Sequence, residues 1–171
     1  MALAADRNTN MMDGEVISLA VAAAAKIYAG GIIVVNATGY ADKGQAALNL
    51  TYMGRAEEQV DNSAGADGDK DVLVRREKAF KFKNSAGDAV DQASIGKVCY
   101  IEDDETVSKT DASGTRSAAG IVVGLDSDGV WIEAVTARNL KVTASLDFPA
   151  IAAAASADLT INVPGAVVGA S

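Results

Sequence analysis

The chain alternates between short runs of apolar residues and clusters of Gly, Asn and Asp along most of its length. Short β-prone runs bounded by turn-forming residues are typical of an all-β sandwich or barrel. Both prolines, Pro149 and Pro164, lie in the C-terminal part, so no proline interrupts a strand in the main body. The pattern predicts strands at 15–21, 31–35, 48–55, 72–83, 96–101, 120–125 and 130–135.

A β-hairpin is the clearest local feature of this pattern. Two β-prone runs, 121–125 and 130–135, flank the tetrad Asp126-Ser127-Asp128-Gly129, in which Asp and Gly tolerate the backbone geometry of tight turns. Trp131, the only tryptophan, lies in the second run. We expect Trp131, together with Phe80 and Phe82, to fill a large share of the core.

Three other stretches of the body are less regular. Residues 20–26 are rich in alanine, which favours helix, but the run is short and Gly30-Gly31 follows it. One helical turn and an extended segment that leads into the next strand are both open here. The polar stretches 61–71 and 103–115 lack periodicity and are predicted to be mobile surface loops.

The C-terminal part has a different composition. After Lys141 the only charged residues are Asp147 and Asp158, and the remainder is rich in Ala, Val and Ile. Residues 159–163 (Leu-Thr-Ile-Asn-Val) alternate as a half-buried strand does. This strand is either an edge strand of its own domain or an arm that adds to a neighbouring subunit's sheet edge.

These patterns divide the chain into three predicted parts. They are an N-terminal arm at 1–13, a β-rich domain at 14–137 and an apolar C-terminal extension at 138–171. The expected fold class is therefore all-β, with an extended N-terminal arm and a C-terminal β extension.

Composition restricts the partners and the compartment. Acidic residues outnumber basic ones 23 to 15 and the net charge is −8, which argues against binding a nucleic-acid backbone by bulk electrostatics. Cys99 is the only cysteine, so no intrachain disulfide can form, and its strand-like surroundings predict a small buried side chain. The chain has neither a signal-peptide core nor an apolar run of about 18 residues, so we expect synthesis in the cytoplasm and no membrane partner.

Candidate chemistry is sparse. Without histidine the chain lacks the usual general base, the commonest metal ligand and every Ser-His or Cys-His nucleophile. Residues 67–71 faintly resemble the start of a calcium loop, but Val72 and Lys78 occupy the positions that need Gly and Glu. The four acids at 102–105 are expected to form a solvated turn. We predict no catalytic, cofactor-binding or metal-ligating residue and no enzymatic activity.

One cluster combines basic and aromatic residues. Phe80-Lys81-Phe82-Lys83 follows Arg75, Arg76 and Lys78. The two-residue period of a strand places both phenylalanines on one face and both lysines on the other, whereas a nucleic-acid groove needs rings and charges together. The phenylalanines are therefore expected in the core, and the basic stripe remains a candidate contact for an acidic partner surface.

Several stretches between residues 13 and 135 carry a resemblance to a known family. They are Asp13-Gly14-Glu15-Val16-Ile17, Tyr28 to Val35 with Gly39-Tyr40-Ala41, Gly54-Arg55-Ala56 with Val60 to Gly65, Val98 to Val107, Ala119 to Gly124 and Gly129 to Ile132. In these stretches the chain resembles the small phage head proteins known as capsid decoration or cement proteins. The tail from Leu146 to Ala166 resembles a module appended to various phage structural proteins, in which it often continues beyond the point where this chain stops.

The resemblance implies a structural role. It implies a small β-barrel or β-tulip-like body that self-associates, as a trimer or less often a dimer. Such a body binds the outer surface of an icosahedral phage head and stabilises contacts between subunits of the major capsid protein. The expected location is the virion, after synthesis in the host bacterial cytoplasm. Candidate capsid or subunit contacts are Leu146, Phe148, Ile151, Leu159, Ile161, Val163, Arg75 and Arg76. The alternatives are a tail, fibre or host-surface adhesin component and, less favoured, a nucleic-acid-binding β-barrel.

Overall fold

The computed structural model describes residues 6–134, and this part of the chain forms twelve strands and one 3₁₀ turn. The first seven strands are β1 Val16–Ala20, β2 Lys26–Ile27, β3 Ile32–Val35, β4 Ala41–Lys43, β5 Thr51–Ala56, β6 Val60–Asp61 and β7 Asp71–Arg75. The rest are β8 Phe80–Asn84, β9 Val98–Ile101, β10 Thr106–Ser108, β11 Ala118–Asp126 and β12 Gly129–Glu133, with the 3₁₀ turn at Gln92–Ser94. The prediction of an all-β fold is confirmed.

The strands belong to three sheets. The first sheet is open, with the order β1-β7-β5-β3-β4, and all its strand pairs are antiparallel. The second has the order β10-β8-β12-β11-β9 and closes on itself because β9 also pairs with β10. A small third sheet pairs β2 with β6. The described chain is therefore an open sheet joined to a closed five-stranded set, and it is not one single barrel.

Strand β3 lies between two hydrophobic cores. Ile32 and Val34 belong to the core of the closed sheet, whereas Ile33 belongs to the core under the open sheet. All three side chains are fully buried. A strand that is buried on both faces needs apolar residues at every position, which explains the unbroken run of β-branched residues here.

The predicted hairpin is confirmed. Strands β11 and β12 are antiparallel neighbours, and Asp126 pairs with Gly129 across a two-residue turn. Phe80 and Phe82, predicted as core residues, are 8% and 5% exposed and belong to the core of the closed sheet.

The prediction that Trp131 fills the core is wrong. Its neighbours Val130 and Ile132 are fully buried, and the alternation of side chains along β12 turns Trp131 to the outer face. The indole is 37% exposed there, opposite Gly124 of β11. The core is filled instead by aliphatic side chains and the two phenylalanines.

The predicted single strand at 72–83 is in fact two strands in two different sheets. β7 pairs with β1 and β5 in the open sheet, whereas β8 pairs with β10 and β12 in the closed sheet. The chain changes direction at Glu77, whose φ of 58° lies in the left-handed region. That conformation is uncommon for a residue other than glycine, so no glycine or proline marks the break in the sequence.

The irregular stretches are more ordered than their composition indicates. Residues 21–25 form a turn and not a helix, with Ala24 at a φ of 58°, and Val21, Ala22 and Ala25 are buried. The stretch 61–71, predicted as a surface loop, includes a buried residue, Asn62. The stretch 103–115, also predicted as a surface loop, contains β10, in which Val107 and Ser108 are fully buried.

The terminal parts of the prediction stay untested. Residues 6–13 form neither strand nor helix and are exposed. The extension at 138–171 lies outside the described residues, and with it lie the candidate contacts Leu146, Phe148, Ile151, Leu159, Ile161 and Val163. Within residues 6–134 no helix has the length and apolar character needed to cross a membrane.

Candidate interaction surfaces

Arg75, a predicted capsid contact, is committed to ion pairs within the chain. Its guanidinium lies 3.0 Å from Glu15 Oε1 and 3.0 Å from Glu57 Oε2. Arg55 also pairs with Glu57, and Lys78 Nζ lies 3.3 Å from Glu15 Oε1. We call these five residues the charge cluster. Hydrogen bonds to Glu57 raise the pKa of Arg75, so the guanidinium stays charged and is paired with carboxylates of the same chain.

The charge cluster joins parts of the fold that are distant in sequence. Glu15 precedes β1, Glu57 follows β5 and Arg75 ends β7. Arg55 also places its guanidinium 5.5 Å from the ring centroid of Phe80 on β8, a distance at which cation–π attraction operates. Arg76, the other predicted contact, is half-buried, and its backbone N–H donates to Glu15 O. The side chain of Arg75 is therefore engaged within the scaffold, whereas the bond of Arg76 is made by its backbone and leaves its predicted contact role untested.

The basic stripe on β8, which consists of Lys81 and Lys83, is likewise engaged in ion pairs with nearby carboxylates. Lys81 Nζ lies 2.9 Å from Asp128 Oδ2, and Lys83 Nζ lies 2.6 Å from Glu105 Oε1. Side-chain hydrogen bonds to these carboxylates raise the pKa of both lysines. The phenylalanines that alternate with these lysines point into the core, so β8 presents no surface that combines unpaired positive charge with aromatic rings.

The outer face of the closed sheet carries four apolar side chains that are at least partly exposed. We call them the outer patch: Val98, Ile121, Val123 and Trp131. Val98 and Ile121 are cross-strand partners on β9 and β11, and both are half-buried. Val123 is the additional residue of a β-bulge in β11 and is 45% exposed. Apolar residues in the middle of a sheet face with charged residues around them are typical of interaction surfaces.

Trp131 is held firmly in the outer patch. Its Nε1–H donates to Asp126 Oδ2 at 2.7 Å, and Lys81 Nζ lies 5.7 Å from the ring centroid. A Cβ at position 124 would lie 3.4 Å from the indole Cδ1, so the glycine there allows the ring to lie close over β11. Fixed aromatic side chains lose little entropy on binding, which makes them common anchors of interfaces.

The two edges of the open sheet differ in how they are protected. Strand β4 is short and carries Asp42 and Lys43, and Val21 forms a bridge to its Ala41. Strand β1 has five uncharged residues and pairs with β7 over its whole length without a bulge. Charge, short length and cover are the usual means of blocking an edge, and β1 has none of them among the described residues.

The N-terminal segment 6–13 leads directly into this unprotected edge. Met11 and Met12 are 95% and 75% exposed. The segment's end is fixed by the backbone N–H of Glu15, which donates to Asp13 Oδ1 at 3.0 Å. The segment therefore offers flexible apolar side chains of the kind that adapt to a partner surface.

The acidic residues of the 61–71 stretch stabilise the stretch itself. Asp67 Oδ1 accepts a hydrogen bond from Ala23 N, and Asp69 Oδ2 accepts one from Ala66 N. Buried Asn62 donates through Nδ2 to Ala22 O and Ala66 O. Within residues 6–134 no group of three potential metal ligands comes together. The resemblance of 67–71 to a calcium loop is thus explained by capping of backbone groups.

Cys99 is buried, as the sequence predicts. It is 1% exposed, and its Sγ–H points towards Gly120 O at 3.5 Å. Burial raises the pKa of the thiol to about 12, so the reactive thiolate is scarce near neutral pH. The thiol is a packing group of the core.

Sequence reasoning missed both the outer patch and the difference between the two edges. The position of Trp131 in the patch could have been predicted from the sequence. Side chains alternate along a strand, so Trp131 lies on the other face of the sheet from Val130 and Ile132. Which strands lie at the edges could not be predicted, because local periodicity does not determine the order of strands in a sheet. Comparisons of this chain with protein-family models, with curated proteins and with solved structures each returned no match.

Proposed function

We propose that this chain is a non-enzymatic decoration protein, which binds the outer surface of an icosahedral phage head and stabilises contacts between major capsid protein subunits. The observation that carries the proposal is the resemblance between residues 13 and 135. Its stretches fall on the scaffold: Tyr28–Val35 includes β3, Val98–Val107 supplies β9 and most of β10, and Ala119–Gly124 with Gly129–Ile132 supplies most of the two strands of the hairpin. The resemblance thus concerns the strands that build the fold and is not confined to its loops.

The closed set of strands β8 to β12 supports the finer part of the proposal, a body of the β-barrel or β-tulip type. Binding by such a body depends on its exposed surfaces, which here include the segment 6–13 and the outer patch. Arg75 is engaged elsewhere, so apolar contact is better supported than charge attraction.

The repeated arrangement of subunits in a capsid explains how weak individual contacts can give stable binding. A head presents the same junction many times, and a self-associated cluster of subunits can bind several capsid subunits together. Linked sites raise avidity by about 10²–10⁴ without any new contact. We therefore propose a trimer, or alternatively a dimer, that spans the junctions between capsid subunits.

The direct test is addition of the purified chain to expanded heads that were assembled without it. We expect saturable binding in a sedimentation assay and heads that resist heat and chelation better than bare heads. A chain lacking residues 1–13 is the informative variant, because the described body begins after this segment. Failure of the full chain to bind, with bare heads as robust as natural ones, would contradict the proposal.

Two further assays separate the alternatives. Binding of the isolated chain to bacterial cells or glycans would favour an adhesin. A salt-dependent gel shift that is lost on replacing Arg75 and Arg76 would favour nucleic-acid binding.

A further inference from the structure

The free edge of β1 has backbone groups that point away from the sheet. Arg76 N donates to Glu15 O, and Val21 N donates to Lys70 O, at the two ends of the β1–β7 pair. Because the direction of backbone groups alternates along an antiparallel pair, odd-numbered residues of β1 face β7. The N–H and C=O groups of Val16, Ser18 and Ala20 therefore face outward, and no strand within residues 6–134 pairs with them on that side.

The core beneath the open sheet is also incompletely covered at this edge. On β7, Val72 and Val74 are fully buried, whereas their partners on β1, Leu19 and Ile17, are only half-buried. Both β1 residues pack against the same core. A strand added beside β1 with apolar residues at alternate positions would cover these two side chains and bond the outward backbone groups together.

Outside the described residues, two uncharged segments have this pattern, 142–146 and 159–163, and we take 159–163 because its apolar side chains are larger. In an extended conformation, Leu159, Ile161 and Val163 would lie on one face, and Thr160 and Asn162 on the other. On β1, exposed Ser18 points to the face of the sheet opposite to Ile17 and Leu19, so the edge strand has a polar side chain where the added strand would have its own. Residues 134–158 separate β12 from this segment and span on the order of 80 Å when fully extended, which is enough to reach another subunit.

From these observations we infer that the free edge of β1 accepts residues 159–163 of a second copy of this chain as an added strand. The inference rests on the self-association part of the proposed function and names the two segments that carry it. Strand addition gives backbone hydrogen bonds for affinity, and the alternating side chains give specificity. The charged and bridged edge β4 does not compete for this segment.

The test is cross-linking between two differently substituted chains, each in a Cys99→Ala background. One carries Ser18→Cys, and the other carries Thr160→Cys or Asn162→Cys. When they are mixed at micromolar concentration under mild oxidation, docking raises the effective concentration to the millimolar range, so the mixed disulfide forms roughly 10³-fold faster than in a control. The control replaces Ser18→Cys with Ser127→Cys, at the exposed turn of the hairpin. Cross-linking of both Thr160→Cys and Asn162→Cys chains at the control rate would overturn the inference.

A truncated chain, 1–158, provides the second measurement. Its self-association by analytical ultracentrifugation is expected to fall at least about tenfold, while the unfolding transition of the body is retained. Self-association equal to that of the full chain would overturn the inference. Head binding is measured separately on the same variant, so decoration of heads by a non-associating chain would leave the proposed function intact. Conversely, cross-linking without head binding would reject the proposed function alone.

Discussion

Single side chains on β12 decide which face of the hairpin belongs to the core. Val130 and Ile132 are fully buried, and Trp131 between them is on the outer face. Composition favours the large aromatic residue as a core residue, but the position within the strand outweighs it. The same period of two correctly placed Phe80 and Phe82 inside, since both alternate with lysines.

The position of Trp131 predicts its fluorescence. As the chain has one tryptophan, all indole emission comes from this site. A ring that is 37% exposed should be quenched by acrylamide in the folded protein, at a rate below that of the unfolded chain. Phe82→Leu should leave this quenching unchanged, since position 82 lies on the opposite face. Native emission that resists quenching altogether would place the indole in the core and contradict the structure.

The burial of Cys99 predicts that its thiol reacts slowly with thiol reagents in the folded protein. With its pKa raised to about 12, the side chain should react with a disulfide reagent in mildly alkaline buffer only when the protein unfolds. The measurement compares the rate of reaction in buffer and in denaturant. A Ser127→Cys chain supplies the exposed control, which should react at once in both. Rapid modification of native Cys99 would mean that β9 opens readily or that the thiol is not buried.

At the scale of elements, the sequence predicted the longer strands and missed the shortest ones. Strands β2, β4, β6 and β10 have two or three residues, too few for a periodic pattern to be recognised. The break between β7 and β8 was missed because Glu77 adopts a left-handed conformation without being glycine. Tertiary pairing in two separate sheets holds that conformation in place, and local propensity does not reveal it.

Close approach of two strands explains Gly54 on β5. Its φ is 137°, and a Cβ there would lie 2.1 Å from Arg75 O on the neighbouring β7. We therefore expect Gly54→Ala to lower the free energy of unfolding by at least about 2 kcal/mol. Gly87→Ala is the matched control, because a Cβ at that position has no atom within 4 Å, and its effect should stay within about 0.5 kcal/mol. Denaturant unfolding measures both, and equal effects would contradict the described β5–β7 pairing.

The charge cluster links β5 to β7 and predicts how stability depends on pH. Hydrogen bonds from Arg75 and then Arg55 lower the pKa of Glu57 from 4.5. A lowered pKa means that the folded state favours the charged carboxylate, so Glu57 stabilises the fold above pH 4.5 and loses this effect as the pH falls through its folded-state pKa.

We accordingly expect Glu57→Gln to destabilise the protein in neutral buffer and to differ less from the natural chain in acid. Denaturant titrations in neutral and acidic buffer give the comparison. Glu77→Gln, at an exposed position outside the charge cluster, is the control. If the Glu57→Gln deficit were the same in both buffers, the ion pairs would not account for it.

At the scale of the whole molecule, the body is a scaffold, and we propose that its exposed margins are the places where partners bind. The predicted contact Arg75 is held in ion pairs within the scaffold, whereas the exposed segment 6–13, the outer patch and the edge of β1 face outward. The all-β class was readable from the sequence because it follows from local alternation. The surfaces were not, because strand order, edge protection and the facing of Trp131 depend on pairings between distant segments.

The central claim, decoration of a phage head, is tested most directly by cryo-electron microscopy of expanded heads after addition of the purified chain. The account predicts added density on the outer surface only, repeated at equivalent junctions between capsid subunits, into which the body of residues 14–134 fits. Heads incubated without the chain should lack that density. A shell that is unchanged after saturating addition, or density confined to the inside of the head, would contradict the account.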